Sequence, residues 1–132
     1  MSAELEKGLY DFLAGTSPQL SCAGRVYPRL PQGVTFPAVR YQRISANRTQ
    51  AIDGNVGVTE VTVQIDCMAE TYSETKVLAD EVRTLLHGYR GAWGALVCRH
   101  ITLETENDFY EQDGDELTHW VTQRYRIWTN MD

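Results

Sequence analysis

Hydrophobic and polar positions alternate most clearly in the middle of the chain, over residues 60–67. The even positions are polar and the odd positions are apolar: Glu60, Thr62, Gln64 and Asp66 against Val61, Val63, Ile65 and Cys67. Successive side chains of a strand point to opposite faces, so this period of two predicts a β-strand. One face of the strand then belongs to the core, and the other meets water or another subunit.

Two segments show helical spacing instead. Residues 2–13 predict an amphipathic helix whose apolar side is formed by Leu5, Leu9, Phe12 and Leu13. Residues 73–86 predict a second helix, with Ser73 as its N-cap and Gly88 or Gly91 ending it. Its apolar stripe consists of Val77, Leu78, Val82, Leu85, Leu86 and Tyr89. Such a stripe must lie on the sheet.

Further strands are predicted over residues 38–45, 95–104 and 117–129, with a short one at residues 109–110. The expected inward side chains are Val39, Tyr41, Val97, Ile101, Leu103, His119, Val121, Tyr125 and Ile127. Residues 46–55 are polar and contain an Asp53-Gly54 turn, which predicts a long loop or flared hairpin. The pattern therefore predicts one α+β domain over residues 1–132. It has a mixed or antiparallel sheet of about four strands, with two helices packed on one face.

Composition limits the compartment and the class of protein. A chain of 132 residues, 42% of them hydrophobic, is the size of one globular domain. No apolar run is long enough to span a membrane, and the N-terminus lacks the basic start of a signal peptide. Cys22, Cys67 and Cys98 have no paired spacing, which indicates free thiols in a reducing compartment. We expect the protein to stay in the cytoplasm where it is made.

The charge is unevenly distributed. A net charge of −6 argues against a free nucleic-acid-binding protein. Residues 12–52 contain no acid, but they contain Arg25, Arg29, Arg40, Arg43 and Arg48. Residues 104–116 contain no base, but they contain Glu104, Glu106, Asp108, Glu111, Asp113, Asp115 and Glu116. Two interpretations remain open: solvated loops that aid solubility, or a complementary pair of surfaces.

Catalytic chemistry has little support in the sequence. Cys98 and His100 are two apart on a predicted strand and would share a face, but no metal-ligand spacing accompanies them. The acids of residues 104–116 are expected in a loop without a pocket to separate their pKa values. There is no phosphate-binding glycine loop. We therefore predict no enzyme, no cofactor and no metal site.

A proline-rich arm and the segments after it carry a family resemblance. Pro28, Pro31 and Pro37 fall within residues 25–41, which read Arg-Val-Tyr-Pro, then Leu-Pro-Gln-Gly, then Phe-Pro-Ala-Val. Proline disfavours helix, so an ordered, extended arm leads into the first strand. Together with the strand and helix of residues 61–86, these short motifs resemble those of the small tail-completion or tail-terminator proteins of long-tailed phages. The resemblance extends over residues 1–128.

The resemblance implies a structural virion protein of a phage, prophage or phage-derived particle. Such a protein forms a ring, commonly a hexamer, on the last ring of the major tail tube protein. It ends tube polymerisation and joins the tail to a neck or head-completion protein. DNA passes through the lumen without specific binding. Assembly would take place in the host cytoplasm, and the protein would then reside in the virion at the head-tail junction.

Two surfaces are candidate contact sites. The expected subunit or partner interface comprises Arg25, Arg29, Arg40, Arg43, Arg48, Asp53, Trp120 and Trp128. Trp120 and Trp128 share the outward face of the last strand, where aromatic side chains are common interface anchors. The acids of residues 104–116 would line either the lumen or an interface. The loop of residues 45–57 is expected to protrude and contact a neighbouring ring. The main alternative is a stand-alone cytoplasmic binding module or regulator that uses the Trp120/Trp128 face, and an enzyme is the third.

Overall fold

The described part of the chain contains two helices and six strands. A computed structural model describes residues 2–14, 22, 25–51, 54–93, 96–113 and 116–129. The elements in chain order are α1 (Ser2–Ala14), β1 (Val26–Tyr27), β2 (Ala38–Ala51), β3 (Gly54–Ala69), α2 (Tyr72–Leu86), β4 (Gly91–Trp93), β5 (Leu96–Asp113) and β6 (Glu116–Thr129). The α+β class is confirmed, but the sheet has six strands instead of about four. The two additional strands, β1 and β4, are two and three residues long.

The strands form one mixed sheet in the order β1-β2-β3-β6-β5-β4. Only β1 and β2 are parallel, and the other pairs are antiparallel. Helix α1 contacts β1 and β4, which are the two outermost strands. One helix touches both edges, so the sheet is curled around it. Helix α2 packs on β3, β5 and β6 in the centre.

The core lies between the helices and the inner face of this curled sheet. The predicted inward row of β3 is confirmed: Val61, Val63, Ile65 and Cys67 are all buried. The apolar side of α1 joins the same cluster, with Leu9 and Leu13 at 1% exposure or less. Each fully buried aliphatic side chain of this kind contributes about 1.5–3 kcal/mol. The alternating pattern therefore predicts the buried side chains correctly where a strand lies under a helix.

Helix α2 differs in detail from its prediction. Its N-cap is Thr71, not Ser73, because the Thr71 hydroxyl accepts a hydrogen bond of 3.1 Å from the backbone N–H of Glu74. The side chain of Val77, expected in the core, is 48% exposed. The buried side is formed by Thr75, Leu78, Ala79, Val82 and Leu86. Gly88 follows the helix at a φ of +81°, which is the left-handed conformation that glycine adopts most readily.

Two polar segments belong to long β-hairpins: residues 46–55, predicted as a long loop or flared hairpin, and residues 104–116, predicted as a loop. Strands β2 and β3 pair as far as Ala51 opposite Gly54, so the flared hairpin is the correct one of the two alternatives for this segment. Strands β5 and β6 pair as far as Asp113 opposite Glu116, so the acids up to Asp113 lie in a strand. Both segments extend past the core and are polar at almost every position, which conceals the period of two. Backbone pairing extends through both segments, and in the second segment the side chains of residues 104–112 are exposed.

The two hairpins project from opposite ends of the sheet. Strand β3 pairs with β6 from Thr59 opposite Thr129 to Ala69 opposite His119. Residues 54–58 of β3 therefore run past one end of that pairing, and residues 116–118 of β6 run past the other. We call residues 43–58 the arginine hairpin and residues 108–120 the acidic hairpin.

A β-bulge in β5 overturns one further expectation. The register shifts between Cys98 and His100, which leaves Arg99 as an extra residue on β5. Such an extra residue turns the side chains that follow it to the other face of the sheet. Cys98 is 1% exposed in the core, whereas His100 is exposed on the outer face. The two side chains do not share a face, as they would in a regular strand. The same shift explains why Val97, predicted inward, is 41% exposed while Leu96 is buried.

The proline arm runs into β2 as expected and is non-helical over residues 28–37. The backbone N–H of Val39 donates to the Arg25 carbonyl at 2.9 Å. The Arg25 Nε in turn donates to the Pro37 carbonyl at 2.9 Å. Arg25 therefore ties the two ends of the arm together.

Candidate assembly surfaces

The outer face of the sheet, which carries neither helix, contains a buried carboxylate, that of Asp66. Asp66 is only 2% exposed. Its Oδ2 accepts hydrogen bonds from Arg40 Nη2 at 2.6 Å and Nε at 2.9 Å, and its Oδ1 accepts one from the Thr122 hydroxyl at 2.8 Å. A buried charge needs such partners to offset the loss of hydration. Arg40, a predicted interface residue, is thus engaged within its own subunit.

A second charged cluster on this face surrounds Arg126. Its guanidinium lies 2.9 Å from a carboxylate oxygen of Glu60 and 2.5 Å from one of Glu104. The guanidinium also lies 5.8 Å from the Trp128 ring centroid, within range of a cation–π contact. The Trp128 ring also stacks on the His100 ring, with the two centroids 5.8 Å apart. Glu104 and Trp128 are therefore held by neighbours in the same subunit.

Aromatic side chains gather at the base of the acidic hairpin. Trp120 stacks on Phe109 with the ring centroids 5.6 Å apart. Across the same strands, His119 lies 6.1 Å from both Tyr110 and Tyr72. The exposed fractions are 70% for Tyr110, 57% for Tyr72 and 47% for Phe109. Successive side chains of a strand point to opposite faces, so Phe109 and Trp120 form one aromatic pair on the outer face, and Tyr110, His119 and Tyr72 form a second group on the face that carries α2.

Trp120 and Trp128 lie on the outer face of β6, as their spacing predicts, but they belong to different clusters. Trp120 pairs with Phe109 at one end of the strand, and Trp128 pairs with His100 near the other. They do not form a common surface. The proposed interface roles of the two tryptophans stay predictions.

Two acids of residues 104–116 are paired with cations of α2. Asp108 accepts a 2.8 Å hydrogen bond from Lys76, and that bond raises the pKa of the Lys76 ammonium. Glu106 lies 3.2 Å from Arg83. Glu111 is exposed, and the side chains of Asp113, Asp115 and Glu116 lie outside the described residues. The acids thus divide between intrasubunit ion pairs and the end of the hairpin.

Sequence reasoning missed a buried polar cluster between α2 and β6. Gln123 is fully buried, and its amide nitrogen donates to the Ala79 carbonyl at 2.9 Å and to Glu106 at 2.8 Å. Its amide oxygen accepts from the Tyr125 hydroxyl at 2.9 Å. Cys67 contacts the same oxygen, and burial raises the pKa of its thiol. The available signal was the period of two in β6, which places Gln123 in the inward row between Val121 and Tyr125.

The remaining predicted arginines are spread over the surface. Arg29 is exposed in the proline arm, and Arg43 is half-buried in β2. The side chain of Arg48 and the whole of Asp53 lie outside the described residues. The structure therefore does not gather these positions into one site, and their interface role stays a prediction.

The described residues offer few groups for catalytic or metal chemistry. The three cysteines are buried thiols with no disulfide. Within the described ranges, no three His, Cys, Asp or Glu side chains are grouped so that they could hold a metal ion. No helix in this part of the chain is long and apolar enough to cross a bilayer.

Extended hairpins at both ends of the sheet, exposed aromatic side chains and internally paired charges define a class: a small structural protein whose surfaces suit contact with other proteins. The chain belongs to the tail completion protein gp17 family, whose model matches residues 7–130. It is therefore a tail-associated structural protein of a phage or phage-like particle. The family resemblance expected from the proline arm and the central strand and helix is confirmed.

Solved structures share this fold. A chain in the virion of a native gene transfer agent particle is 14% identical and has a TM-score of 0.68, with 97% of this chain and 96% of that chain covered. A second solved structure is 12% identical with a TM-score of 0.57, and 96% and 95% of the two chains are covered. No curated protein matches the sequence significantly.

Proposed function

We propose that the protein is a tail terminator. Its subunits form a ring, with six as the expected number, that caps the head-proximal end of the tail tube. The ring ends tube polymerisation and joins the tail to the neck. Membership of the tail completion family over residues 7–130 is the observation that carries this proposal. Assembly takes place in the host cytoplasm, and the protein then stays in the virion at the head-tail junction.

The geometry supports contacts with two different partners. The arginine hairpin and the acidic hairpin project from opposite ends of one sheet, so a single subunit can meet different proteins at its two ends. In this proposal one partner is the major tail tube protein and the other is the neck or head-completion protein. Hairpins that extend from a rigid sheet are suited to recognition because they present side chains without disturbing the core.

The charges support a lumen through which DNA moves without specific binding. Phosphate binding requires lysine or arginine side chains that can exchange their counterions for DNA. On the outer face of the sheet, Arg40 is hydrogen-bonded to Asp66, and Arg126 forms ion pairs with Glu60 and Glu104. The exposed Arg124 on the same face donates to the Gln64 side chain at 3.4 Å. The net charge of −6 also repels phosphate.

Shortening the arginine hairpin tests the proposal. Residues 50–57 are replaced by an Asn-Gly turn, which joins Thr49 to its partner Val58, and the variant is expressed in place of the wild-type protein in the parent particle. The pairing of β2 with β3 from Ala38 to Thr49 is kept, so the variant should unfold as cooperatively as the wild type in a thermal melt. Electron microscopy should show tails of abnormal length, or tails not joined to heads. Tails of normal length on filled heads would contradict the proposal.

A further inference from the structure

A cavity of about 280 Å³ opens at the surface between the proline arm and the first turns of α2. Its lining consists of Pro37, Ser73, Glu74 and Val77, so neither of the two long hairpins contributes to it. The side chain of Val77 is 48% exposed at this place. A half-exposed apolar side chain beside a recess is suited to contact with another protein.

Glu74 gives the cavity a negative charge. Its Oε1 accepts a 3.1 Å hydrogen bond from the Thr71 hydroxyl, and no lysine or arginine in the described ranges pairs with the carboxylate. Residues 70–75 contain two acids and no base, and the next base, Lys76, is already paired with an acid of β5. The N-terminus of a helix carries roughly half a positive charge, which the full charge of Glu74 exceeds. The cavity therefore suits a cationic side chain with an apolar neighbour that contacts Val77.

The tip of the proline arm has the complementary chemistry. Residues 28–33 read Pro-Arg-Leu-Pro-Gln-Gly, and residues 12–52 contain no acid. Arg29 is exposed next to the half-buried Leu30, and no described residue pairs with its guanidinium. Arg25, at the base of the arm, is instead bonded within the subunit. Arg29 is thus the arginine of the arm that a partner can reach.

The arm holds this tip in a defined shape. Arg25 joins the two ends of the arm through its bond to the Pro37 carbonyl. Pro28 and Pro31 fix the backbone φ at two positions of the tip, and Gly33 turns the chain at a φ of +74°. A tip restricted in this way loses little conformational entropy when it binds. The tip lines no part of the cavity of its own subunit, so the cavity is open to the tip of another.

We propose that the arm tip of one copy docks in the cavity of a second copy, with Arg29 paired to Glu74 and Leu30 packed on Val77. The two surfaces differ, so each copy gives one and receives one. Such a contact is head to tail, and it closes into a ring when the rotation between copies divides a full turn. The inference rests on the proposed function, because it names the surfaces that join neighbouring subunits of that ring. Both hairpins then remain for the tube and the neck.

Reciprocal charge reversal tests the docking. Arg29→Glu and Glu74→Arg are made singly and together in the full chain. Arg90→Glu and Asp11→Arg are matched controls, because they make the same charge changes at exposed positions before β4 and on α1. Native mass spectrometry and light scattering measure the oligomer over a range of protein concentrations, at low and high salt. Thermal melts verify that every variant is folded.

A bulky side chain in the cavity gives a second test that does not depend on charge. Ser73→Trp fills the cavity from an exposed position. Thr84→Trp is the matched control, at an exposed position of the same helix that does not line the cavity. Ser73→Trp should weaken assembly without unfolding the subunit, and Thr84→Trp should assemble as wild type. If Glu74→Arg does not fold, Arg29→Glu and Ser73→Trp decide the question.

The wild type should form oligomers larger than a dimer. Each single reversal should raise the half-assembly concentration by about tenfold or more at low salt, because the reversed side chain meets a like charge. High salt should reduce this difference, because it screens the new repulsion. The double variant should recover most of the assembly, and the controls should behave as wild type.

Three results would overturn the docking: a wild type that stays monomeric or dimeric at every concentration, variants of Arg29 and Ser73 that assemble normally, or a folded double variant no better than its parents. The proposed function fails separately. If the reversals control oligomer formation but tails terminate normally without the protein, the docking stands and the terminator role does not. If tails require the protein but tolerate Arg29→Glu and Ser73→Trp, the terminator role stands and the docking does not.

Discussion

Replacing Gln123 by methionine tests whether the hydrogen bonds of the buried polar cluster stabilise the fold. Methionine is similar in volume and fills the site, but it offers neither the two N–H donors nor the carbonyl acceptor of the amide. The change leaves the Tyr125 hydroxyl buried at 0% exposure without its 2.9 Å acceptor. It also removes the 2.8 Å donor to Glu106, which keeps its ion pair with Arg83.

The expected cost follows from these lost partners. An orphaned buried hydroxyl costs about 1–3 kcal/mol, and loss of the charge-assisted bond to Glu106 adds about 1 kcal/mol at this partly exposed carboxylate. Burying a thioether in place of an amide offsets only part of this sum. We therefore expect Gln123→Met to lower the free energy of unfolding by about 2–4 kcal/mol.

A double-mutant cycle with Tyr125→Phe isolates the cause. When both partners are apolar no hydroxyl is orphaned, so Gln123→Met with Tyr125→Phe should cost at least about 1 kcal/mol less than the sum of the single changes. Urea unfolding followed by circular dichroism measures each free energy. Gln42→Met, at an exposed position of β2, is the matched control and should stay within about 0.5 kcal/mol of wild type. Strict additivity of the two core changes would refute the reasoning.

Three further changes test other parts of the fold. Arg40→Ala leaves Asp66 as a buried, poorly compensated charge and should cost about 3–5 kcal/mol in urea unfolding; a loss under about 1 kcal/mol would show that the pair is dispensable. Gly8→Ala places a methyl group 2.6 Å from Trp93 Cβ, so the melting temperature should fall although alanine favours helix by about 1 kcal/mol; a rise would contradict the packing. Burial raises the pKa of the Cys98 thiol from 9.0 to about 12. Above pH 9 the thiol ionises in the unfolded chain but stays neutral in the folded one, so its contribution to the free energy of unfolding is complete below pH 9 and is lost as the pH rises to 12. Wild type should therefore lose more stability than Cys98→Ala over that range, and parallel losses would contradict the raised pKa.

The sequence predicts the fold well where one face of an element is buried. The alternation of β3 and the spacing of α1 have a direct cause in burial, and both predictions hold. The flared hairpin at residues 46–55 was one of two predicted alternatives. The strand over the acids up to Asp113 was missed because residues 104–112 are exposed, so no buried face imposes a period. The bulge after Cys98 was missed because an extra residue in a strand leaves no mark in composition.

The candidate surfaces are harder to predict because their partners are distant in sequence. Arg40 meets Asp66 across 26 residues, and Asp66 meets Thr122 across 56. A charge count cannot show that these groups neutralise one another within a subunit. It correctly separates an acid-free segment from a base-free one, but only the strand register shows that parts of these segments lie in hairpins at opposite ends of the sheet.

The most direct test of the terminator role is the length of tails made without the protein. The gene is removed from the parent particle, and tail lengths and head attachment are scored by electron microscopy, with and without the wild-type protein supplied in trans. Without the protein, tails should have uncontrolled length and should not join heads, and supplying the protein should restore normal particles. Tails of uniform length joined to heads in its absence would contradict the account.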